Sequence, residues 1–183
     1  MRRKYTALAG AVSPPQRRRE DNAILQVLTA TDAFHDCETL LTYVSAGAEV
    51  DTTRLIEYAL SQGKTVAVPR CGSEPGRMSF YVINAVRELV RGKFGLPEPP
   101  AGARLLDKAQ NALCVVPALA YDADGYRLGR GGGYYDRFLA GFTGCTVGLC
   151  RVCCISNEAL PRGEHDIKVG HVITQKGVLR KDK

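Results

Sequence analysis

The chain has 183 residues, of which 45% are hydrophobic and 24% are charged, and its formal net charge is +6. A chain of this length and composition suits one compact domain and excludes a fibrous repeat or a disordered chain. The positive charge is concentrated near the two ends and lacks the interleaved aromatic residues of a nucleic-acid-binding stripe, so we expect no nucleic-acid partner.

The first half of the chain predicts a helix followed by a strand, a helix and a strand. Apolar residues recur at helical spacing over residues 17–28, behind the start signal Ser-Pro-Pro at 13–15. The run LLTYV, residues 40–44, is a candidate strand, and Asp51 or Thr52 then caps a helix that Gly63 ends. A second strand, TVAVP, follows over residues 65–69. Such a unit forms a right-handed parallel crossover, so the sheet is predicted to be at least partly parallel.

The rest of the chain predicts more strands, at residues 78–83, 112–117, 145–150 and 171–174. The stretch GKFGLPEPPAGAR, residues 92–104, is rich in Gly and Pro and predicts a loop. No internal repeat is visible. The pattern therefore predicts an α/β fold, namely a single three-layer domain over residues 1–183 with a parallel-rich sheet.

The seven cysteines bear on the compartment of the protein. They lie mostly in apolar runs that resemble strands, and no Cys-x-x-Cys pair with a His partner is present to bind zinc. We therefore expect buried, reduced thiols in a cytosolic protein. No stretch approaches the roughly 20 apolar residues that a membrane span needs, so we expect no membrane partner and a cytoplasmic location.

One segment carries most of the chemical information. VVPALAYDADGYRLGRGGGYYDRFL, residues 115–139, combines an apolar strand, a turn-rich stretch, four glycines within five residues and a helix start. Glycines let successive main-chain N–H groups approach an anion, because they adopt positive φ and have no Cβ. Arg127 and Arg130 add charged donors, and Asp136 in the first helical turn suits a hard cation. The segment therefore predicts a site for a polyphosphate with magnesium.

Other interpretations of this segment stay open. GRGGG is also compatible with a flexible connector, and Asp136 with a residue that only favours the helix dipole. The segment is not a Walker motif, because no Gly-Lys-Ser/Thr follows, and it lacks the acidic residue of a dinucleotide-binding fingerprint.

PALAYDADGYRLGRGGGYYDRFL resembles the signature of the 5-formyltetrahydrofolate cyclo-ligase family, the methenyltetrahydrofolate synthetases. The resemblance extends over nearly the entire chain. Upstream it includes TYVSAGAEVDTTRLIEYALSQGKTVAVPR at residues 42–70, the MSFY strand and the FGLPEP turn, and downstream LPRGEHDIKVGHVIT at 160–174. It implies the family's three-layer α/β fold, similar to the sugar-isomerase and CoA-transferase group.

The resemblance also implies ligand-binding positions. Arg130 and Tyr134 would be catalytic, and Asp136 and Asp166 would bind magnesium. The ATP-binding residues that it implies are Arg2, Arg127, Leu128, Gly129, Arg130, Gly131, Gly132, Gly133, Tyr134 and Tyr135. The folate-binding residues that it implies are Val44, Glu49, Arg130, Gly131, Gly132, Gly133 and Tyr134.

Some of these positions have a chemical rationale of their own. The carboxylate of Glu49 suits the amide and amine edge of a pterin ring, whereas the nearby Asp51 is better explained as a helix cap. One of Tyr134 and Tyr135 should face the ligand, because adjacent helical residues point about 100° apart. The chain departs from the family pattern in two places: the family's opening Lys has no counterpart near Arg2, and Gly170 stands where members often carry Asp.

By this resemblance the protein would be a monomeric enzyme whose substrates are ATP and 5-formyltetrahydrofolate. The formyl group would be phosphorylated, and N10 would then close the ring to give 5,10-methenyltetrahydrofolate, ADP and phosphate. Two alternatives stay open: a nucleotide- or folate-binding regulator on the same fold without turnover, and a sugar-phosphate isomerase, which would need no ATP.

Overall fold

A computed structural model describes residues 1–92 and 95–180 of the chain. Phe94 of the predicted FGLPEP turn, and Lys181 and Lys183 of the basic C-terminal end, lie outside the described residues. The helices are α1 (Arg2–Ala11), α2 (Pro14–Thr29), α3 (Asp32–Asp36), α4 (Thr53–Ser61) and α5 (Tyr134–Leu139). The strands are β1 (Thr39–Thr42), β2 (Thr65–Cys71), β3 (Met78–Ile83), β4 (Val90–Arg91), β5 (Pro97–Glu98), β6 (Ala112–Val116), β7 (Ala120–Tyr121), β8 (Arg127–Leu128), β9 (Cys145–Leu149), β10 (His171–Thr174) and β11 (Gly177–Arg180).

Seven of the strands form one sheet in the order β11-β10-β9-β6-β1-β2-β3. The inner pairs are parallel, and β3 and β11 run antiparallel at the two edges. From β1 the chain continues to β2 and β3 on one side, whereas β6, β9 and β10 follow on the other. The strand order therefore reverses between β1 and β6, and α/β sheets of this kind bind ligands at the carboxyl edge of that point.

The two faces of the sheet are covered by different helices, which confirms the predicted α/β fold with a parallel-rich sheet. Because successive strand residues point to opposite faces, Leu40 and Leu41 of β1 belong to separate core clusters. Leu40 packs with buried residues of α2, α3 and α4. Leu41 packs with buried residues of α1 and α5.

Local sequence sets the bounds of α4, as expected. The Oδ1 atom of Asp51 accepts a hydrogen bond of 2.9 Å from the N–H of Thr53, so Asp51 supplies the cap although Thr52 occupies the cap position. Gly63 follows the helix with a φ of +74°, a conformation that favours glycine. The chain then enters β2 in parallel register with β1, with Leu40 opposite Val66.

A close contact fixes the position of β9 under β7, the short strand that follows β6. The hydroxyl of Tyr121 donates a hydrogen bond of 2.7 Å to the carbonyl of Val116, and the ring is fully buried. A Cβ atom on Gly148 of β9 would lie 2.3 Å from Cζ of this ring. Only glycine therefore fits beneath Tyr121.

The structure differs from the sequence predictions in a few elements. Helices α1 and α3 and strand β11 were not predicted, and the predicted loop at 92–104 contains the short strand Pro97–Glu98 paired with β4. The cysteine prediction is wrong for Cys145 and Cys153, which are exposed. Cys145 begins β9 at the edge of the core, and Cys153 lies in a surface 3-10 turn, Val152–Cys154.

Candidate active site

The segments that follow β1, β6 and β9 surround a cleft of about 120 Å³ at the carboxyl edge of the sheet. Tyr43 and Glu49 follow β1, Leu119 follows β6, and Arg151 follows β9. Thr6 and Ala9 of α1 complete the wall on one side. This is the reversal point between β1 and β6, where an α/β sheet places its ligands. A larger groove of about 340 Å³ beside β3 shares no lining residue with this cleft.

The glycine loop between β8 and α5 is held by arginines from two other positions. The Nε atom of Arg2 donates a hydrogen bond of 2.9 Å to the carbonyl of Gly129. Nη1 of Arg137 donates one of 3.0 Å to the carbonyl of Gly132. The loop contains positive φ angles at Gly131 (+97°) and Gly133 (+64°), which explains the glycines at these two positions. The structure thus brings Arg2, which the sequence resemblance assigns to ATP, to the glycine loop.

An ion pair joins the glycine loop to the segment after β1. Nη2 of Arg130 lies 3.0 Å from Oε1 of Glu49, and the Arg130 side chain is 70% exposed. Oε2 of Glu49 accepts a hydrogen bond of 2.9 Å from the N–H of Ala46. The predicted folate residue Glu49 and the predicted phosphate residue Arg130 therefore meet at the mouth of the cleft. Val44 is half-buried, packs against the core and does not line this cleft.

Asp136 is paired with an arginine that is almost completely buried. Arg127 has a side-chain exposure of 5% and donates one N–H to Oδ1 of Asp136 and another to the carbonyl of Ile167. The N–H of Ile167 also donates to Oδ1 of Asp136, at 3.2 Å. The sequence predicted Asp136 as a metal ligand and Arg127 as a phosphate ligand, whereas in the structure they bind one another.

Asp166 lies on an exposed turn beside this pair. Its Oδ2 atom accepts a hydrogen bond of 2.7 Å from the N–H of Gly163, within the same turn. Because Ile167 contacts Asp136, the segment that carries Asp166 adjoins Asp136. Within residues 1–92 and 95–180, no group of three or more His, Cys, Asp or Glu side chains forms a metal-binding cluster.

The two predicted tyrosines point in different directions from the start of α5. Tyr134 lies against the glycine loop, since a Cβ atom on Gly132 would be 2.7 Å from its ring. Tyr135 packs towards the core, edge-on to Phe80. Burial raises the pKa of Tyr135 well above its usual value, and its buried hydroxyl finds no hydrogen-bond partner in the described part of the chain. Tyr134 is therefore the tyrosine that faces the loop.

Sequence reasoning missed Arg151, a charged residue whose side chain is 3% exposed. It lines the cleft and donates hydrogen bonds to the carbonyls of Ala48, at 2.8 Å, and Glu49, at 3.3 Å. Its charge is compensated by Asp21 and Glu20 of α2. One feature of the sequence could have indicated this residue: Arg151 comes directly after the apolar run CTVGLC. A charged residue next to a buried strand is seldom buried itself unless it has a partner of opposite charge.

The chain is similar to known proteins over most of its length. The model of the 5-formyltetrahydrofolate cyclo-ligase family matches residues 1–175. The 5-formyltetrahydrofolate cyclo-ligase of Escherichia coli K12 is 33% identical over 141 residues, covering 74% of this chain and 77% of its own length. The protein of the same name from Mycolicibacterium smegmatis is 33% identical over 146 residues, with coverages of 75% and 74%.

Solved structures agree with the sequence comparison. The Aquifex aeolicus 5,10-methenyltetrahydrofolate synthetase has a TM-score of 0.83 at 30% identity and covers 98% of this chain and 90% of its own. The Mycoplasma pneumoniae 5,10-methenyltetrahydrofolate synthetase has a TM-score of 0.76 at 18% identity, with coverages of 95% and 96%, and supports the fold alone. In the described residues, no helix is long and apolar enough to cross a membrane.

Proposed function

The chain belongs to the 5-formyltetrahydrofolate cyclo-ligase family, and we propose that it uses ATP and magnesium to cyclise 5-formyltetrahydrofolate to 5,10-methenyltetrahydrofolate. ADP and phosphate are the other products, and a phosphorylated formyl group is the intermediate. We propose that it acts as a cytoplasmic monomer with a single domain over residues 1–183.

The observation that carries this proposal is the ion pair between Glu49 and Arg130 across the reversal point of the sheet. The reaction requires the formyl oxygen of the folate to lie within reach of the γ-phosphate of ATP. A carboxylate suited to a pterin and a cation suited to a phosphate already lie 3.0 Å apart, so ligands bound at each would be neighbours. The exposed Arg130 side chain is free to turn from Glu49 towards a phosphate when folate occupies the carboxylate.

ATP would lie along the glycine loop, with its phosphates over Gly131 and Gly132. Both glycines are exposed, and the positive φ at Gly131 turns main-chain N–H groups out of the usual helical or strand direction. Arg2 lies beside this loop and would add a charged donor to the phosphates. Arg127 is buried and paired with Asp136, so in the proposed site it acts on the phosphates mainly through its charge.

The acidic residues fit magnesium that is bound mainly by the phosphates. Both described hydrogen bonds to the Asp136 carboxylate go to Oδ1, so Oδ2 is available to a cation, and the side chain is 22% exposed. Magnesium is usually bound by one or two carboxylates together with substrate phosphates and water. Asp136 and Asp166 would supply these carboxylates. The ion would neutralise phosphate charge and so favour attack by a weak nucleophile.

The protein then needs to supply little covalent chemistry. The formyl oxygen attacks the γ-phosphate and displaces ADP. The formyl carbon, which now carries a phosphorylated oxygen, becomes electrophilic enough for N10 to add and close the five-membered ring, with loss of the N10 proton and of phosphate. Arg130 would stabilise the charge that develops on the transferred phosphoryl group, because preorganised cations near a transition state are a main source of rate enhancement. Tyr134 would enclose the reacting groups from the side of the glycine loop.

A direct assay tests this proposal. Purified protein is mixed with 5-formyltetrahydrofolate, ATP and magnesium, and methenyltetrahydrofolate is followed by its near-ultraviolet absorbance while phosphate release is measured in parallel. We expect one phosphate for each methenyltetrahydrofolate, and no product when ATP is omitted. Folate and ATP binding without product would instead identify a regulator on this fold.

A further inference from the structure

Arg151 connects the core to the segment that carries Glu49. It follows β9, and its guanidinium group reaches two consecutive carbonyls, those of Ala48 and Glu49. In the described residues these carbonyls accept no other hydrogen bond. The main-chain position of Glu49 therefore depends on Arg151, since a half-buried carbonyl without a partner costs free energy.

On its other side, the guanidinium group of Arg151 is held by two carboxylates of α2. Nη2 contacts Oδ1 of Asp21, and Nε lies 3.6 Å from Oε2 of Glu20. Burial raises the pKa of Asp21, and the neighbouring Arg151 opposes that increase. A buried guanidinium with two carboxylates on one side and two carbonyls on the other has little freedom to move.

We propose that Arg151 is a positioning residue for the folate substrate, which acts by holding the Ala48–Glu49 peptide so that the Glu49 carboxylate faces the cleft. This inference rests on the proposed function, because it assumes that Glu49 binds the folate. Arg151 need not touch the folate or ATP. Its effect is to fix Glu49 before binding, so that folate binding does not have to order this segment.

The shape of the guanidinium group explains why an arginine is needed here. Its planar fork directs Nη1 to Ala48 while Nη2 serves both Glu49 and Asp21. A lysine keeps the positive charge beside Asp21 and Glu20, but its single ammonium cannot hold both carbonyls in the same geometry. Arg151→Lys therefore keeps the positive charge beside Asp21 and Glu20, but it removes the paired hydrogen bonds to the carbonyls of Ala48 and Glu49.

The test measures dissociation constants of 5-formyltetrahydrofolate and ATP separately by calorimetry. For Arg151→Lys we expect folate binding to weaken about tenfold and ATP binding to change less than about twofold, with kcat at saturating folate nearly unchanged. The matched control is Lys64→Met, because Lys64 also donates to two main-chain carbonyls, those of His35 and Cys37, but does so beside the amino end of β2. The control should leave both constants unchanged.

A double-mutant cycle separates positioning from general destabilisation. If Arg151 acts through Glu49, then Arg151→Lys should weaken folate binding by less than about twofold when Glu49 is already glutamine. A second tenfold loss in the Glu49→Gln background would overturn the proposal, and so would equal losses in folate and ATP affinity in the single variant.

The binding measurements remain informative if the enzyme assay fails. Folate binding without ATP-dependent product would contradict the proposed function, whereas the Arg151 effect on affinity would still support the inference. Absence of folate binding to the unmodified protein would overturn both. If Arg151→Lys does not fold, Asp21→Asn is used instead, because it removes the negative charge of one partner of Arg151 and keeps the guanidinium group. Folate affinity should then fall more than ATP affinity, and an unchanged ratio would contradict positioning.

Discussion

Substituting Gly131 by valine tests whether the glycine loop binds phosphate or only connects two elements. Gly131 has a φ of +97°, and a Cβ atom there would lie 3.4 Å from Nη2 of Arg2, the far end of a flexible side chain. The substitution therefore meets little resistance from packing. Its main cost in the free protein is the positive φ imposed on a β-branched residue, about 1–3 kcal/mol.

The ligand-bound state should suffer an additional loss. If phosphates lie against the loop, the valine side chain occupies their space and turns N–H groups away from them, so ATP affinity should fall more than tenfold, at least about 1.4 kcal/mol. Titration calorimetry measures this affinity, and thermal unfolding measures the cost to the free protein. ATP binding within about twofold of that of the unmodified protein, in a folded Gly131→Val variant, would refute the phosphate site.

Two matched variants separate strain from ligand contact. Gly63, at the end of α4, has a similar φ of +74°, and no atom of the described residues would lie within 4 Å of a Cβ placed there, so Gly63→Val should lower stability without affecting ATP. Gly129 also has open space but no positive φ, so Gly129→Ala should hardly change stability. A loss of ATP affinity in Gly129→Ala could therefore not come from backbone strain, and it would indicate direct contact between the loop and ATP.

Other substitutions test single side chains. Glu49→Gln should weaken 5-formyltetrahydrofolate binding about tenfold or more and leave ATP affinity nearly unchanged, because it removes the charge proposed to meet the pterin; equal losses for both ligands, measured by calorimetry, would contradict this role. Asp136→Asn should lower kcat about 10²-fold and raise the magnesium concentration needed for half activity, and it should also destabilise the fold by about 1–3 kcal/mol, since Arg127 loses a charged partner. Unchanged magnesium dependence in steady-state assays would remove Asp136 from the metal site. Tyr135→Phe should leave the unfolding midpoint unchanged or raise it, because the buried hydroxyl lacks a partner among the described residues; a clear fall in the midpoint would show that the hydroxyl is bonded after all.

The sheet could be predicted from sequence because its strands are apolar runs with clear ends. Residues 78–83 and 171–174 form strands with the predicted bounds. Helix α1 escaped prediction because Tyr5 is its one buried residue, so no helical period of apolar residues is visible. Its role depends on tertiary contact, since it brings Arg2 to the glycine loop.

The site was predictable in its residue types and less so in its pairings. Glycines and arginines near a helix start indicate an anion site whatever their neighbours are. The partner of each charge, by contrast, depends on which segments fold against each other. The pair of Arg127 with Asp136 and the contact of Arg151 with the Glu49 segment join residues from separate elements, and no local spacing indicates them.

The packing of Tyr121 on Gly148 has an evolutionary consequence. Neither position can be substituted alone. Any side chain on Gly148 would collide with the ring of Tyr121, which the hydrogen bond from its hydroxyl to Val116 holds in place. A smaller residue in place of Tyr121 would leave a cavity above the strand. The two positions should therefore change together or not at all, so across related sequences a glycine at the one should accompany a large aromatic residue at the other.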